Sequence, residues 1–383
     1  NEGYEEKVPR IELPTTADLG RLKGLADQGG TGFTALNSGA GTARTRIEFV
    51  TADLNNNSAI DANEGFFRVY DGNDAALVMA SKPANSAGWP AVANCGYLSG
   101  NRFMTPKDTA GNSDVKRSAV QRQDARCYPD GDPRLNPGQA FRENGLNGKW
   151  RKSNWTAPAA VVSRLAATRP DLNAAYLYPM NHEDAPNFKG VIHVTGSVAI
   201  SGTVRGRLTL AATGTIYIVD DLQYALGPAS PDCGDILGLF SGLDVVVVDN
   251  AINGPQQPTG SGTWYTYDET ASEFVSAVVL ALRGFGVQNF DQGSTTAEPC
   301  EGRAWGRGCL YLSGGVIQDT RSPVGQSNGS GYLKRYSYDV CGYKRPPPYF
   351  PTTGHFGRSR YVEVDPVGFN VGKYFADRAA DVN

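Results

Sequence analysis

The chain has 383 residues, of which 40% are hydrophobic and 20% are charged, and its formal net charge at pH 7 is −3. This composition excludes a wholly disordered chain, and the lack of a basic excess argues against nucleic acid as a partner. No run of about 20 apolar residues occurs, so we predict no transmembrane segment. The 46 glycines and 23 prolines predict many turns between short strands.

The first 45 residues form an N-terminal segment. Its clearest element is a short helix in "TADLGRLKGLADQGG", which ends at Gly29 and Gly30. Two strands rich in β-branched and aromatic residues are predicted next, at Arg46–Val50 and Gly65–Tyr70. They open a loop-rich β module that we assign to residues 46–155.

The segment between these two strands, "DLNNNSAIDANE", has the spacing of an EF-hand-like calcium loop. That pattern places oxygen ligands at positions 1, 3, 5, 7, 9 and 12 of twelve residues, and a glycine at position 6. The predicted Ca²⁺ ligands are Asp53, Asn55, Asn57, the carbonyl of Ala59, Asp61 and Glu64, the last able to supply two oxygens. Ile60 provides the expected aliphatic residue, whereas Ser58 stands where glycine is usual.

The flanks of this loop are predicted strands and not helices. We therefore expect a calcium-clamped β-loop and not a signalling EF-hand. Only three of the ligands are carboxylates, which indicates weak affinity, about 10⁻⁴–10⁻³ M as in extracellular modules. The alternative is a polar turn, since Asn and Asp are good turn formers.

A second domain is predicted over residues 156–345. It opens with a helix in "TAPAAVVSRLAATRP", capped by Thr156. Short apolar strands separated by glycines follow, at Val191–Val194, Val198–Ile200, Leu208–Leu210, Ile216–Val219, Val245–Val248, Val278–Leu282 and Leu310–Leu312. Val191 and Leu208 lie 17 positions apart, and Val198 and Ile216 lie 18 apart. This repetition favours a mainly β fold whose body is a parallel β-helix or solenoid; an antiparallel β-sandwich is the alternative.

Residues 346–383 form a C-terminal Pro-rich strap and tail, which begins in "KRPPPYFP". Three consecutive prolines predict a rigid polyproline segment. We expect this strap to pack Tyr349 and Phe350 onto the end of the solenoid and to cover its open edge. The alternative is that the segment docks in an aromatic-lined groove of a partner.

Six cysteines are spread along the chain: Cys95, Cys127, Cys233, Cys300, Cys309 and Cys341. None forms a C-x-x-C pair and the chain has only three histidines, so zinc is not expected. An even number of separated cysteines favours disulfides and an oxidising compartment, with reduced buried thiols as the alternative. We predict a local bridge between Cys300 and Cys309 and name Cys95–Cys127 as a candidate staple; the remaining connectivity stays open.

Several blocks of the C-terminal half occur in a recognisable order: "GVIHVTGSVAISGTVRGRLTLAATGTIYIVDDL", "DILGLFSGLDVVVVDN" and "CLYLSGGVIQDTRSPVGQ". Together they resemble an uncharacterised domain family of bacterial cell-surface proteins associated with PilX-like type IV pilus proteins. The resemblance runs from Asn187 to the C-terminus. It implies an extracellular or cell-surface location, a β-solenoid-like body, and self-association or pilus and cell-surface components as partners. It supplies no catalytic residues, and the sequence lacks the apolar pilin-type helix of that family.

A carbohydrate-active β-helix enzyme is the alternative function. Asp220 and Asp221 would act with Arg205 or Arg207, because paired acids suit glycoside cleavage. Neighbouring residues on a strand point to opposite faces, however, which separates the two carboxylates.

Two weaker candidates complete the survey. His182, Glu183 and Asp184 are either an acid/base cluster or a solvated loop, and Trp264 with Tyr265 could form a glycan-binding platform. Without a catalytic constellation, the sequence favours a non-enzymatic extracellular structural protein. It would be pilus-associated, filament-forming or adhesive, and stabilised by calcium and disulfides.

Overall fold

The structure is a computed structural model that describes residues 13–36, 43, 45–72, 97–99, 102–105, 148–169, 172–248, 265–266, 272–288, 290–291 and 298–351. The fold is mainly β, with 40% strand and 15% helix, as predicted. Its largest sheet contains 15 strands among the described residues and curls strongly into a half-barrel of parallel and antiparallel strands.

The helices are α1 (Thr16–Gly29), α2 (Ala159–Thr168) and α3 (Val340–Lys344), and a 3₁₀ helix spans Ala174–Tyr176. The first ten strands are β1 (Gly32–Thr34), β2 (Thr45–Thr51), β3 (Gly65–Gly72), β4 (Tyr97–Ser99), β5 (Arg102–Thr105), β6 (Gly148–Trp150), β7 (Tyr178–Pro179), β8 (Val191–Thr195), β9 (Val198–Val204) and β10 (Arg207–Ala212). The others are β11 (Ile216–Tyr224), β12 (Ile236–Ser241), β13 (Val245–Val247), β14 (Tyr265–Thr266), β15 (Glu273–Ala281), β16 (Phe285–Val287), β17 (Glu298–Cys300), β18 (Arg303–Trp305), β19 (Cys309–Gln318) and β20 (Leu333–Tyr338).

Seven parallel strands stack into a first ladder, in the order β1–β8–β10–β12–β15–β19–β20. The register aligns side chains of the same kind on successive strands. One inward row consists of Ile192, Leu210, Leu239, Val279 and Val316. The first four of these are fully buried, which explains why such strands read as apolar runs.

A second ladder of parallel strands runs β2–β9–β11–β13–β16. Its matching inward row is Ile47, Ile200, Ile218, Val247 and Val287, and both rows belong to one hydrophobic core. From β8 to β13 the chain alternates between the two ladders, one strand in each. This parallel pairing disagrees with the antiparallel sandwich. The mixed character comes from β3, which pairs antiparallel with β2, β6 and β7.

Gly202 is required where β9 pairs with β2. Its φ is +104°, and a Cβ atom there would lie 2.1 Å from the carbonyl oxygen of Phe49. No side chain fits in that space, so this close approach of two backbones needs glycine.

Helix α1 covers outward residues of the first ladder. It begins with a capping box between Thr15 and Asp18. It ends at Gly29, as predicted, and Gly30 caps it in the left-handed conformation. Its apolar face joins the strands and the strap in a second cluster: Leu19, Leu22, Ala26, Val191, Ala211, Phe240, Leu280 and Phe350. Helix α2 differs from the prediction, because Pro158 and not Thr156 occupies its N-cap and no side chain caps it.

His193 lies on this outward face, two residues along the strand from Val191. It pairs with Gly32 and Ala211, is 1% exposed, and has no hydrogen-bond partner for either ring nitrogen. Burial, followed by the charge of Lys23, lowers the pKa of His193 from 6.5 to about 4. The ring is therefore neutral at pH 7.

The Pro-rich strap crosses the same outward face and does not cover an edge. The hydroxyl of Thr209 donates to the carbonyl of Pro348 at 2.5 Å, and Phe350 packs against Gly238, where a Cβ would lie 2.4 Å from its ring. Phe350 is 9% exposed, whereas Tyr349 is 48% exposed. The prediction that the strap packs on the body holds for Phe350 but is wrong for Tyr349 and for the edge.

Two disulfides close this fold. Cys300–Cys309 has the predicted partners and links β17 to β19, while Cys233–Cys341 joins residues 108 positions apart. Both are compatible with an oxidising compartment. Cys95 and Cys127 lie outside the described residues.

Candidate calcium-binding loop

The predicted calcium loop connects the two strands of a β-hairpin. Strands β2 and β3 pair antiparallel from Thr45↔Asp71 to Thr51↔Gly65, which confirms both flanking strands. The backbone N–H of Ala52 donates to the carbonyl of Glu64 at 3.2 Å and closes the loop at its base. The hairpin thus brings the first and last predicted ligands close together.

Side-chain oxygens of the loop face its own backbone. The carboxylate of Asp53 accepts N–H groups from Asn56, Asn57 and Ser58, the last at 3.0 Å. The amide oxygen of Asn55 accepts from Asn57 at 3.0 Å, and that of Asn57 accepts from Ala59 at 2.8 Å. These bonds wrap the backbone around its own oxygen atoms, as in an Asx turn.

Asp61 is the point on which the polar side chains converge. Its Oδ2 accepts N–H from the amides of both Asn55 and Asn57, at 2.6 and 2.8 Å. The N–H groups of these two amides therefore stabilise the negative charge of Asp61, which is the role that a bound cation would otherwise have. Each amide oxygen has two lone pairs, and only one is used by a backbone N–H, so coordination capacity remains.

Glu64 is almost fully buried, with 1% exposure. Its Oε1 accepts the N–H groups of Leu54 and Asn55, at 2.6 and 3.2 Å, and its Oε2 accepts that of Asp61 at 2.7 Å. A carboxylate has about four lone-pair sites, so three are in use. Glu64 therefore fixes both ends of the loop, and its role as a two-oxygen ligand stays a prediction.

Ser58, the one mismatch to the pattern, adopts the conformation that glycine usually provides. Its φ is 64°, and that of Asn56 is also 64°. A left-handed residue other than glycine costs about 1–2 kcal/mol. The backbone turn that the pattern needs at its sixth position is present without the glycine.

Cationic side chains from elsewhere in the chain hold the loop from outside. Arg164 of α2 donates Nε to the carbonyl of Asp53 at 3.1 Å and Nη2 to the amide oxygen of Asn56 at 2.6 Å. Arg205 donates Nε to the carbonyl of Ile60 at 2.9 Å. The sequence contains no local signal for these contacts, because both arginines lie more than 100 residues away.

The structure does not bring the three carboxylates of the predicted site, Asp53, Asp61 and Glu64, together as a metal-holding group. In the part of the chain that the structure describes, no three side chains of His, Cys, Asp or Glu are grouped to hold a metal ion. A cation in this loop would therefore depend on amide and carbonyl oxygens from Asn55, Asn57 and Ala59 beside the carboxylates. Oxygen ligands of this mixed kind are those that Ca²⁺ takes.

The residues of the enzyme hypothesis are engaged in the fold. Arg205 forms a buried ion pair with Asp235 at 2.7 Å, and Asp221 accepts the backbone N–H of Phe274 at 2.9 Å. Arg207 donates to the carbonyl of Pro346 at 3.0 Å. None of these contacts joins Asp221 to Arg205 or Arg207, and the side chain of Asp220 lies outside the described residues.

The structure says little about the two weaker candidates, the acidic turn at residues 182–184 and the Trp264–Tyr265 pair. Glu183 and Asp184 accept hydrogen bonds from Asn63 and Asn181, which is the behaviour of a polar turn. Trp264 lies outside the described residues, and Tyr265 belongs to β14, a strand that pairs with β5.

No family model, no curated protein and no solved structure matches this chain. The resemblance to PilX-associated surface proteins therefore stays a prediction. Among the described residues, no helix is both long enough and apolar enough to cross a lipid bilayer.

Proposed function

We propose that this protein is an extracellular structural subunit of a cell surface, pilus-associated or filament-forming and adhesive, with a β-solenoid body. The carrying observation is the Cys233–Cys341 disulfide, which closes 108 residues of a body built from stacked parallel strands. A covalent closure of that length stabilises a rigid body against unfolding and proteolysis where thiols are oxidised.

The β-solenoid part of the proposal rests on the order of the strands. From β8 to β13 each strand of the first ladder is followed by one of the second, so each pair resembles one coil of a solenoid. Aligned apolar rows run along both ladders, as expected when each coil buries its neighbours.

Self-association is supported by the ends of the first ladder. Strand β20 pairs only with β19, and β1 pairs only with β8, among the described residues. A parallel edge strand on one copy can pair with the opposite end of another, and such a head-to-tail contact repeats into a filament. Tyr336 and Tyr338 on β20 are 45% and 67% exposed.

Calcium is the proposed cofactor, held by Asp53, Asn55, Asn57, Ala59, Asp61 and Glu64. Its role would be to neutralise the carboxylates and to stiffen the hairpin loop. The proposal is supported by the oxygen donors that all six predicted ligands offer and by the left-handed backbone at Ser58.

Thermal unfolding with Ca²⁺ and with a chelator tests the calcium proposal. At a free Ca²⁺ concentration about 100 times Kd, we expect the free energy of unfolding to rise by about 2.7 kcal/mol. Asp61→Asn should lose this shift, whereas Ser58→Gly should keep it and the exposed control Asp232→Asn should keep it too. An unchanged Tm of the wild-type protein in Ca²⁺ would remove the metal from the proposal.

Light scattering and electron microscopy of the native protein test the assembly. We expect filaments or end-to-end oligomers, which Tyr338→Lys should suppress because it places a charge on the edge strand β20. Tyr343→Lys, in α3, is a matched control with 69% exposure and should leave assembly intact. A strictly monomeric wild-type protein contradicts the structural function.

A further inference from the structure

A cleft lies between the turn that precedes β8 and the Pro-rich strap. It has a volume of about 470 Å³, within the range of small-ligand sites. Its lining includes Lys189 and Arg207, the rings of His182, Phe188 and Tyr349, and Pro348 of the strap. Cationic groups and rings therefore share one concave surface.

The charge of this cleft is positive. Lys189 makes no ion pair with any described residue, and Arg207 donates one hydrogen bond to the carbonyl of Pro346. Burial, and after it the charge of the neighbouring Arg345, lowers the pKa of Arg207, so a second cation lies near its guanidinium. The site is thus arranged for an anion.

The two acids of the same turn lie outside the lining of the cleft. Glu183 accepts a hydrogen bond from Asn63 at 3.5 Å, and Asp184 accepts one from Asn181 at 3.1 Å. Both carboxylates are engaged with amides, and neither lines the cleft.

An exposed ring stands at the mouth of the cleft. Tyr349 is 48% exposed and has a φ of 54°, a conformation that costs energy for a residue other than glycine. The bonds of the strap hold it there, because Pro348 on one side is fixed to Thr209 and Phe350 on the other is packed in the body. Phe188, 3% exposed, adds a second apolar surface inside the cleft.

We infer that this cleft binds a saccharide that carries carboxylate groups, such as a chain of uronic acids. The carboxylate would accept hydrogen bonds from Arg207 and Lys189, since guanidinium groups match the geometry of a carboxylate. The C–H face of the sugar ring would pack on Tyr349. A free phosphate matches the charge but not the rings, and a neutral sugar matches the rings but not the charge. The inference goes beyond the proposed function and needs neither calcium nor filament formation.

Titration calorimetry with the full chain tests this ligand class with three probes. We expect a short oligogalacturonate to bind and a neutral galactan oligomer and inorganic phosphate not to bind at the same concentration. Absence of oligogalacturonate binding overturns the inference. Equal binding of phosphate also overturns it, because the rings would then contribute nothing to affinity. Equal binding of the neutral oligomer overturns it as well, because the cationic side chains would then contribute nothing.

Three variants assign the binding to the cleft. Arg207→Gln, Lys189→Gln and Tyr349→Ala should each weaken binding about tenfold or more, as expected for loss of a charged hydrogen bond or a ring contact. Arg303→Gln, an exposed arginine on β18, is the matched control and should bind like the wild type. Arg207→Gln also removes a hydrogen bond to the strap and could therefore prevent folding. In that case, Lys189→Gln tests the contribution of the positive charge to binding. Wild-type affinity in both Lys189→Gln and Tyr349→Ala refutes the site.

Discussion

Removing the two disulfides one at a time should destabilise the protein by different amounts. The perturbations are the double variants Cys233→Ala/Cys341→Ala and Cys300→Ala/Cys309→Ala. All four cysteines are buried, with exposures between 0% and 2%, so each double variant loses a similar amount of buried side chain. What differs is the length of chain that each bridge closes, 108 against 9 positions.

The loop-entropy relation turns these lengths into free energies. It gives about 4.8 kcal/mol for the Cys233–Cys341 bridge and about 2.6 kcal/mol for the Cys300–Cys309 bridge at 25 °C. We therefore expect the long-range variant to be less stable than the local variant by about 2 kcal/mol.

Urea unfolding without reductant, followed by tryptophan and tyrosine fluorescence, measures both values on proteins that keep all other cysteines. Equal losses, or a larger loss for the local bridge, would refute the entropic reasoning. Such a result would indicate that the bridges act through contacts in the folded state.

Two further changes test buried polar groups. Asp235→Ala should lower the free energy of unfolding by about 3–5 kcal/mol, because it leaves the buried guanidinium of Arg205 without its carboxylate partner. Chemical denaturation measures this loss. The control Asp232→Ala, at an exposed position nearby, should change the free energy of unfolding little. Because the pKa of His193 falls from 6.5 to about 4 on folding, the unfolded state binds the extra proton between these values. The contribution of His193 to the free energy of unfolding should be fully present above pH 6.5 and should fall by about 3 kcal/mol towards pH 4. His193→Leu should flatten this decline, whereas His182→Gln, at an exposed position, should not. A pH profile of His193→Leu that follows the wild type contradicts the assignment.

The short strands were predictable from their residue types. Arg46–Val50 and Gly65–Tyr70 are rich in β-branched and aromatic residues, and the structure contains both as β2 and β3. Strand β12 was missed because Gly238 interrupts the run "ILGLFS" and reads as a turn. Gly238 instead gives room to the ring of Phe350, a residue more than 100 positions away, and no local pattern reveals that contact.

Contacts between residues far apart in the chain could not be predicted from the sequence, because no local pattern reveals them. The Cys300–Cys309 bridge was predicted because its two cysteines lie close in the chain, whereas Cys233–Cys341 depends on how the strands stack. Likewise, the twelve residues of the calcium loop could be matched one by one to a pattern. The contacts of Arg164 with that loop depend on where α2 packs.

Burial in the strap was predicted correctly for Phe350 and wrongly for Tyr349, and the backbone conformation explains the difference. Tyr349 and Phe350 are adjacent and both aromatic, so composition predicts burial of both. The left-handed φ of Tyr349 turns the chain between them, which places one ring in the body and leaves the other at the cleft. A conformation of this kind has no reliable signature in a single sequence.

Helix α1 and the strap reach the outer face of the first ladder from opposite ends of the described chain. A ribosome releases α1 first, and at 5–20 residues per second Phe350 follows on the order of tens of seconds later. From their own release until Phe350 and Cys341 emerge, Phe240 lacks one of its neighbours in the packed cluster and Cys233 cannot form its native bridge. The nascent protein therefore presents apolar surface and lacks its long-range disulfide until its last strand and strap are in place.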